Sequence, residues 1–454
     1  MKLFFSITII GFMILTSSCK KYLDVKPDAQ LVVPTTLEDL QGILDDALIM
    51  NKSGSPSLVE SYADDYFLSD NTLQSLSTQD QEIYKWSLSK YIFQNDWGLC
   101  YIPVYSANLC LERLAKMKEN SIQQQEWNNI KGSALFFRSY SFLNLCWEFA
   151  KAYDNNTADT DPGIVLRTTT DFNVPSKRAS VKDSYEKILK DTKEAASLLP
   201  EVCFHPMRPS KAAAYGLLSR AYLSMRQYDS CLKYANLCLQ INDKLIDLNG
   251  DEDINSSISG RVPFKPFNKE IIFYYEMNRR SAVLHMYYYS DIDSTLYNSY
   301  DSSDLRTIAF FKPDNNYHTF KGSYASNMNV LFTGIATDEI YLMAAECYAR
   351  MGNITESMNT LNRLLEKRYA TGTFTPATAA NKDEAVNKVL SERRKELLLR
   401  GLRWMDLKRL NKEGRNIALK RIINGEVFLL PANDPRYIIP LPDDIIKLTG
   451  MQQN

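Results

Sequence analysis

The feature that most constrains this chain is a repeat of part of itself. Tyr215, Ser219, Tyr222, Tyr228, Cys231, Ala235 and Cys238 have counterparts at Tyr341, Ala345, Tyr348, Ile354, Ser357, Leu361 and Leu364, each displaced by 126 positions. In both copies a helical pattern with small residues in mid-face stops at a short turn, and a second helical pattern starts at once. Small side chains let two antiparallel helices approach closely, so each copy reads as a tetratricopeptide-like helical hairpin. Such hairpins bury their apolar faces by stacking, and roughly three are needed for a stable array. The helical patterns over 101–117 and 123–153 offer further, degenerate members. The expected fold is mainly α, with tetratricopeptide-like helical hairpins forming a right-handed scaffold. A coiled coil fits less well, because the copies lie far apart and lack sustained heptads.

Between the copies, from about 241 to 332, the texture changes. Asp, Asn, Ser and Gly become frequent, and Tyr274, Tyr275, Tyr287, Tyr288, Tyr289, Tyr297, Tyr300, Phe310, Phe311, Tyr317 and Tyr324 cluster there. A stretch this long without repeats reads as an inserted irregular lobe containing short strands, one of them at Ile271–Glu276. Elsewhere the pattern from Leu37 predicts an amphipathic helix capped by Thr35 or Thr36, and Val181–Leu199 predicts a helix ended by Pro200. An apolar fraction of 45% and a charged fraction of 24% suit a globular protein. A formal net charge of −1 gives no electrostatic case for nucleic acid.

The N-terminus stands apart from the fold. Lys2 precedes an apolar run from Leu3 to Leu15, too short to span a membrane and laid out as a secretory signal peptide over residues 1–18. Thr16-Ser17-Ser18-Cys19 resembles a lipoprotein processing site, with Cys19 as the lipidated first residue of the mature chain. Thr16 departs from that pattern, since a branched aliphatic residue is usual there. An acyl anchor would attach the protein to a membrane without a spanning segment. The other cysteines are Cys100, Cys110, Cys146, Cys203, Cys231, Cys238 and Cys347, an odd number with no C-x-x-C pair. They read as buried free thiols rather than zinc or redox motifs.

The densest charge lies in Ser391–Leu410, where Glu, Arg and Lys alternate with leucines. It reads as a helix, a stop at Gly401 and a second helix. Leu390, Leu397 and Leu398 form one stripe, Glu396 stands four residues before Arg400, and Gly401 suits a left-handed C′ position. The pattern Glu392-Arg393-Arg394, Glu396, Gly401, Arg403, Asp406-Leu407 and Arg409 resembles the C-terminal signature of the SusD/RagB family. Further motifs follow in order. Lys21-Tyr22-Leu23-Asp24-Val25-Lys26-Pro27 is similar to the family's mature start. Trp97, Tyr101 or Tyr105, and Asn108 match its first helix; Val181, Tyr185, Ile188 and Asp191 match a later one. Asp304-x-Arg306, Ile439-Pro440-Leu441-Pro442 and a Gln-Asn ending complete the series. Ala336 stands where the family often has an arginine three residues before Glu339, which places one expected buried ion pair in doubt. The resemblance implies a single SusD-like domain over 19–454, a non-catalytic lipoprotein of the outer membrane exposed at the cell surface. It would bind oligosaccharide and pass it to a SusC-like TonB-dependent transporter.

The residues themselves supply no catalytic constellation. His205, His285 and His318 are widely spaced, with no His-Glu metal motif, nucleophile elbow, phosphate loop or dinucleotide fingerprint. No cofactor or metal is expected; a calcium site in the acidic Asp291–Asp304 stretch would lack regular ligand spacing. Asp64, Asp65, Asp443 and Asp444 read as solvated surface acids rather than a glycosidase pair. Sugars are held by aromatic faces and planar polar groups. The candidates for that role are Trp86, Trp97, Tyr287, Tyr289, Tyr317 and Tyr324, in irregular segments where loops carry function. Each is also a plausible core residue. Glu392, Glu396, Arg403 and Asp406 are expected to form a largely buried ion-pair network holding the last helices against the repeats. An alternative function is a tetratricopeptide adaptor that binds protein, or capture of peptide rather than glycan.

Overall fold

A computed structural model describes residues 34–52, 54–91, 94–117, 123–280 and 289–454. The signal peptide, Cys19, Tyr287 and His285 lie outside the described residues. Eleven of the helices carry the argument: α1 (Leu37–Leu44), α2 (Asp96–Leu114), α3 (Gln124–Phe149), α4 (Val181–Leu198), α5 (Lys211–Ser224), α6 (Tyr228–Ile241), α7 (Thr337–Arg350), α8 (Ile354–Glu366), α9 (Lys382–Glu396), α10 (Arg403–Lys412) and α11 (Asp443–Thr449). Thr36 caps α1 reciprocally with Asp39, and Ser180 caps α4 by accepting from the Asp183 amide. Pro200 follows directly after the capping residue Leu199, as expected from the sequence.

Helices α2 to α8 pack in chain order, each against the next, and α9 closes on α7 and α8. The two repeat copies are α5–α6 and α7–α8, with equivalent residues at both ends of the first helix and at the start of the second. They are joined internally by the same bond in opposite directions. Ser219 of α5 donates to the Cys231 carbonyl of α6 (2.7 Å), whereas Ser357 of α8 donates to the Ala345 carbonyl of α7 (2.8 Å). The positions correspond, and the hydroxyl has changed helices. Gly216 matters at this level: a Cβ there would sit 2.6 Å from Ile335 Cγ2, so only glycine lets the following strand approach α5.

Helix α3 is buried on every side from Gly132 to Phe149, as befits the centre of the array. Its Arg138 links the neighbouring helices, donating to Asp191 of α4 (2.9 Å) and to Asn108 of α2 (2.9 Å). The patterns over 101–117 and 123–153 thus form α2 and α3 as paired helices of the array.

The strands are short and pair in twos: β1 (Tyr66–Phe67) with β5 (Asp291–Ile292), β2 (Pro162–Val165) with β3 (Arg178–Ser180), β4 (Ile271–Phe273) with β8 (Ile335–Ala336), β6 (Phe311–Asp314) with β7 (Tyr317–Phe320), and β9 (Leu419–Ile423) with β10 (Glu426–Leu430). The strand expected at Ile271–Glu276 is β4. The molecule has a large core through the helices and a second one in the inserted lobe, built on Phe264, Tyr274, Tyr300, Phe310, Tyr324 and Phe332. Leu398 and Leu399 join that second core, so the turn after α9 ties the lobe to the scaffold. All seven described cysteines are free thiols, buried except for the half-buried Cys203.

Candidate functional site

The charged stretch Ser391–Leu410 faces inward. Arg306 of the lobe donates to Asp304 (2.7 Å), Glu392 (2.6 Å) and Glu396 (3.0 Å), and is itself fully buried. Arg368 joins Glu396 (2.8 Å) to Glu270 (2.8 Å), and the Tyr324 hydroxyl donates to the same Glu270 (2.7 Å). Asp406 accepts from Arg393 and Arg409, and Arg409 continues to Glu346 of α7 (2.8 Å). Glu339 is held by Arg220 (2.8 Å), so the arginine missing at position 336 is replaced by one from α5.

Two local expectations change. Helix α9 ends at Glu396, with Leu399 already in the left-handed region (φ 56°), so Gly401 (φ 72°) lies in the connecting turn rather than at C′. Because the helix stops, Glu396 and Arg400 do not form an i,i+4 pair. Arg400 instead reaches Asp338 (2.8 Å). The acids Asp64 and Asp65, expected in solvent, are the partners of Arg403 (2.7 Å) and Arg394 (2.9 Å). Asp65 is 1% exposed. Their guanidinium partners come from the far end of the chain, which a local reading of adjacent acids does not see.

This interior offers no reaction centre. Glu270, Asp338 and Glu396 bring their carboxylates within 4.8 Å of one another. Arg306, Arg368 and Arg400 pair with these three carboxylates, Arg306 serving Asp304 and Glu392 as well. Burial opposes ionisation of Glu396, yet Arg368 and Arg306 hold its carboxyl below the ordinary value. Asp338 has weaker support, and burial pushes it up to about 7 despite Arg400. In the Asp291–Asp304 stretch Asp293 caps a short helix and Asp304 binds Arg306.

Of the aromatic candidates, Trp86 and Tyr324 lie in the core. Trp86 donates its indole N–H to the Tyr62 carbonyl (2.9 Å), and Arg421 covers its ring at 4.4 Å. Tyr324 packs against Phe264 and Phe332. Neither offers a face to a ligand. Trp97 is also buried, against Phe149 and Tyr101, but borders a surface cavity of about 240 Å³. There Tyr105 stacks on the exposed Phe172 (5.5 Å, 17°).

Tyr289 and Tyr317 remain exposed, by 40% and 46%. Tyr317 lies beside a residue the sequence reading missed. In the β1–β5 pair Tyr66 and Ile292 turn inward and are buried, so Phe67 and Asp291, paired opposite each other, turn outward. Phe67 meets Tyr317 edge to face at 5.0 Å, and Asp314 stands opposite Tyr317 in the β6–β7 register. The result is an aromatic edge with carboxylates alongside. Burial, with repulsion from Asp314, raises Asp291 to about 6. His318 points to the other side of β7, stacked on Tyr297 (3.5 Å). The only available signal for Phe67 was strand alternation after Asp64-Asp65-Tyr66, and two residues are too few to establish a period.

Comparisons with known proteins agree with this architecture. A family model described as starch-binding associating with outer membrane matches residues 21–223, and a SusD family model matches 267–453. A tetratricopeptide repeat model matches 212–245, the α5–α6 hairpin. SusD-like protein P2 of Formosa agariphila is 20% identical over 422 residues, spanning 79% of each chain. SusD-like protein P38 of the same organism is 39% identical over 79 residues, 16% of each. A SusD superfamily crystal structure from Bacteroides thetaiotaomicron superposes with a TM-score of 0.74 at 20% identity, covering 92% of this chain and 99% of that one. A laminarin-binding SusD-like protein gives 0.68 at 16% identity, covering 93% and 99%. At these identities the structures share the fold. No helix among the described residues is long and apolar enough to cross a membrane.

Proposed function

The chain belongs to the SusD/RagB family, whose members are non-catalytic binding proteins associated with the outer membrane, and from that premise we propose that it captures oligosaccharides at the cell surface. It is anchored through an acyl group on Cys19 and hands its cargo to a SusC-like TonB-dependent transporter. The observation that carries this reading is the outward edge of Phe67 and Tyr317, flanked by Asp291 and Asp314. Ring faces suit the C–H surface of a pyranose, and carboxylates accept hydrogen bonds from its hydroxyls. Both strand pairs are held by the packed lobe, so the rings are positioned before a ligand arrives.

Affinity electrophoresis against a polysaccharide panel tests the capture step. Retardation by at least one glycan, lost in Tyr317→Ala, supports it; unchanged mobility throughout contradicts it. Co-purification of a TonB-dependent transporter from outer membranes tests the partner, and release of Cys19→Ala from membranes tests the anchor. The tetratricopeptide match favours a second reading, an adaptor or peptide-capturing member without glycan binding. Its mark would be peptide or protein capture that survives substitution of the aromatic edge.

A further inference from the structure

The half-buried Phe67 and the exposed Tyr317 each have a carboxylate as cross-strand partner: Phe67 faces Asp291, and Tyr317 faces Asp314. Phe67 and Tyr317 touch, so the two acids flank a single ring pair rather than two separate ones. Elsewhere in this molecule acids of the lobe and scaffold are matched by arginine, as at Asp304, Glu396 and Asp64. Among the described residues no lysine or arginine comes within salt-bridge distance of Asp291 or Asp314. Lys312 shares the outward face of its strand with Asp314, two residues away, Asn315 donates to Asp314 (3.1 Å), and Asp293 is drawn toward Arg394 (3.9 Å).

Resting on the reading of this edge as a glycan site, we propose that Asp291 and Asp314 are specificity-determining groups that exclude anionic oligosaccharides from it. The chemistry is one of donors and charge. A sugar hydroxyl donates a hydrogen bond to a carboxylate, whereas a uronate or sulfate can only accept and carries like charge. Partial burial of Asp291 strengthens that repulsion, because water screens it less. Desolvation and Asp314 raise Asp291, but only to about 6, so its carboxylate is ionised at neutral pH. Rejection of anionic glycans is thus built in beside the stacking rings, as a repulsive element next to an attractive one.

The test is calorimetric titration of the mature chain at pH 7.5 and low salt. The probes are laminarihexaose, maltohexaose, cellohexaose and hexagalacturonate, against wild type, Asp291→Asn/Asp314→Asn and Asp314→Lys. Wild type is expected to bind at least one neutral hexasaccharide more than tenfold tighter than hexagalacturonate. The double amide variant should narrow that ratio at least fivefold with its melting temperature unchanged. Asp314→Lys, at an exposed strand end, should narrow it further. Hexagalacturonate binding as tightly as every neutral probe, or a ratio indifferent to both variants, overturns the inference and leaves glycan capture standing. Binding of no oligosaccharide by any form overturns the capture reading and this inference with it.

Discussion

The two ends of the short β1 segment show two opposite uses of the same chemistry. Just before it, Asp64 and Asp65 are sealed against Arg394 and Arg403. At its last residue, Phe67 turns outward with Asp291 and Asp314, whose charges face one another. Burial pays for itself only where acids and guanidinium groups are matched, and that arrangement fixes geometry without offering anything to a ligand. Where the acids stand beside exposed rings, the protein keeps a surface that something else must complete. Charge density therefore marks the scaffold here, and aromatic exposure marks the proposed site.

That contrast can be broken most forcefully from its buried half. Arg306→Ala removes one cation from Asp304, Glu392 and Glu396 and should destabilise the fold by roughly 3–5 kcal/mol. Denaturant unfolding measures the loss, while glycan affinity of the folded fraction stays the same. Next in size is Gly216→Ala, where the added methyl meets Ile335; overpacking of this kind costs about 1–3 kcal/mol, again without touching the aromatic edge.

A pH series sharpens the buried side. Glu60 accepts from the Gly401 amide, and burial, reinforced by Asp65, raises it to about 8. A raised carboxyl means the folded state holds a proton that the unfolded chain releases near 4.5. Its contribution is full below about pH 4.5 and disappears as pH rises through 8. Glu60→Gln should flatten that decline in the denaturation midpoint between pH 5 and 9. The smallest effect belongs to the exposed half: Tyr289→Ala, at an exposed ring two residues before Asp291, should weaken glycan binding about fivefold by titration with no change in melting temperature.

Much of the scaffold could be read from residues because its signals are local and periodic. The 126-residue offset places α5–α6 and α7–α8, Ser180 and Pro200 bound α4, and the Glu/Arg pattern among leucines points to the packing stretch. What could not be read depends on partners far away in sequence. Nothing near Glu396 announces Arg306 or Arg368, and nothing near Trp86 announces the guanidinium of Arg421 over its ring. Trp86 and Tyr324 looked available because they sit in irregular segments, yet their polar atoms are satisfied inside the fold. Phe67 was missed because a two-residue strand has no visible period. Tyr289 and Tyr317 could be nominated by type and region, whereas the meeting of Tyr317 with Phe67 joins strands far apart in sequence.

The central claim, that recognition belongs to the aromatic edge and not to the charged stretch, is tested most directly by Phe67→Ala/Tyr317→Ala. Glycan affinity and thermal unfolding would be measured on the same preparation. The account predicts that binding falls by at least thirtyfold, about 2 kcal/mol, while the melting temperature holds. Full binding in the double variant, or a loss that only follows a lowered melting temperature, would contradict it.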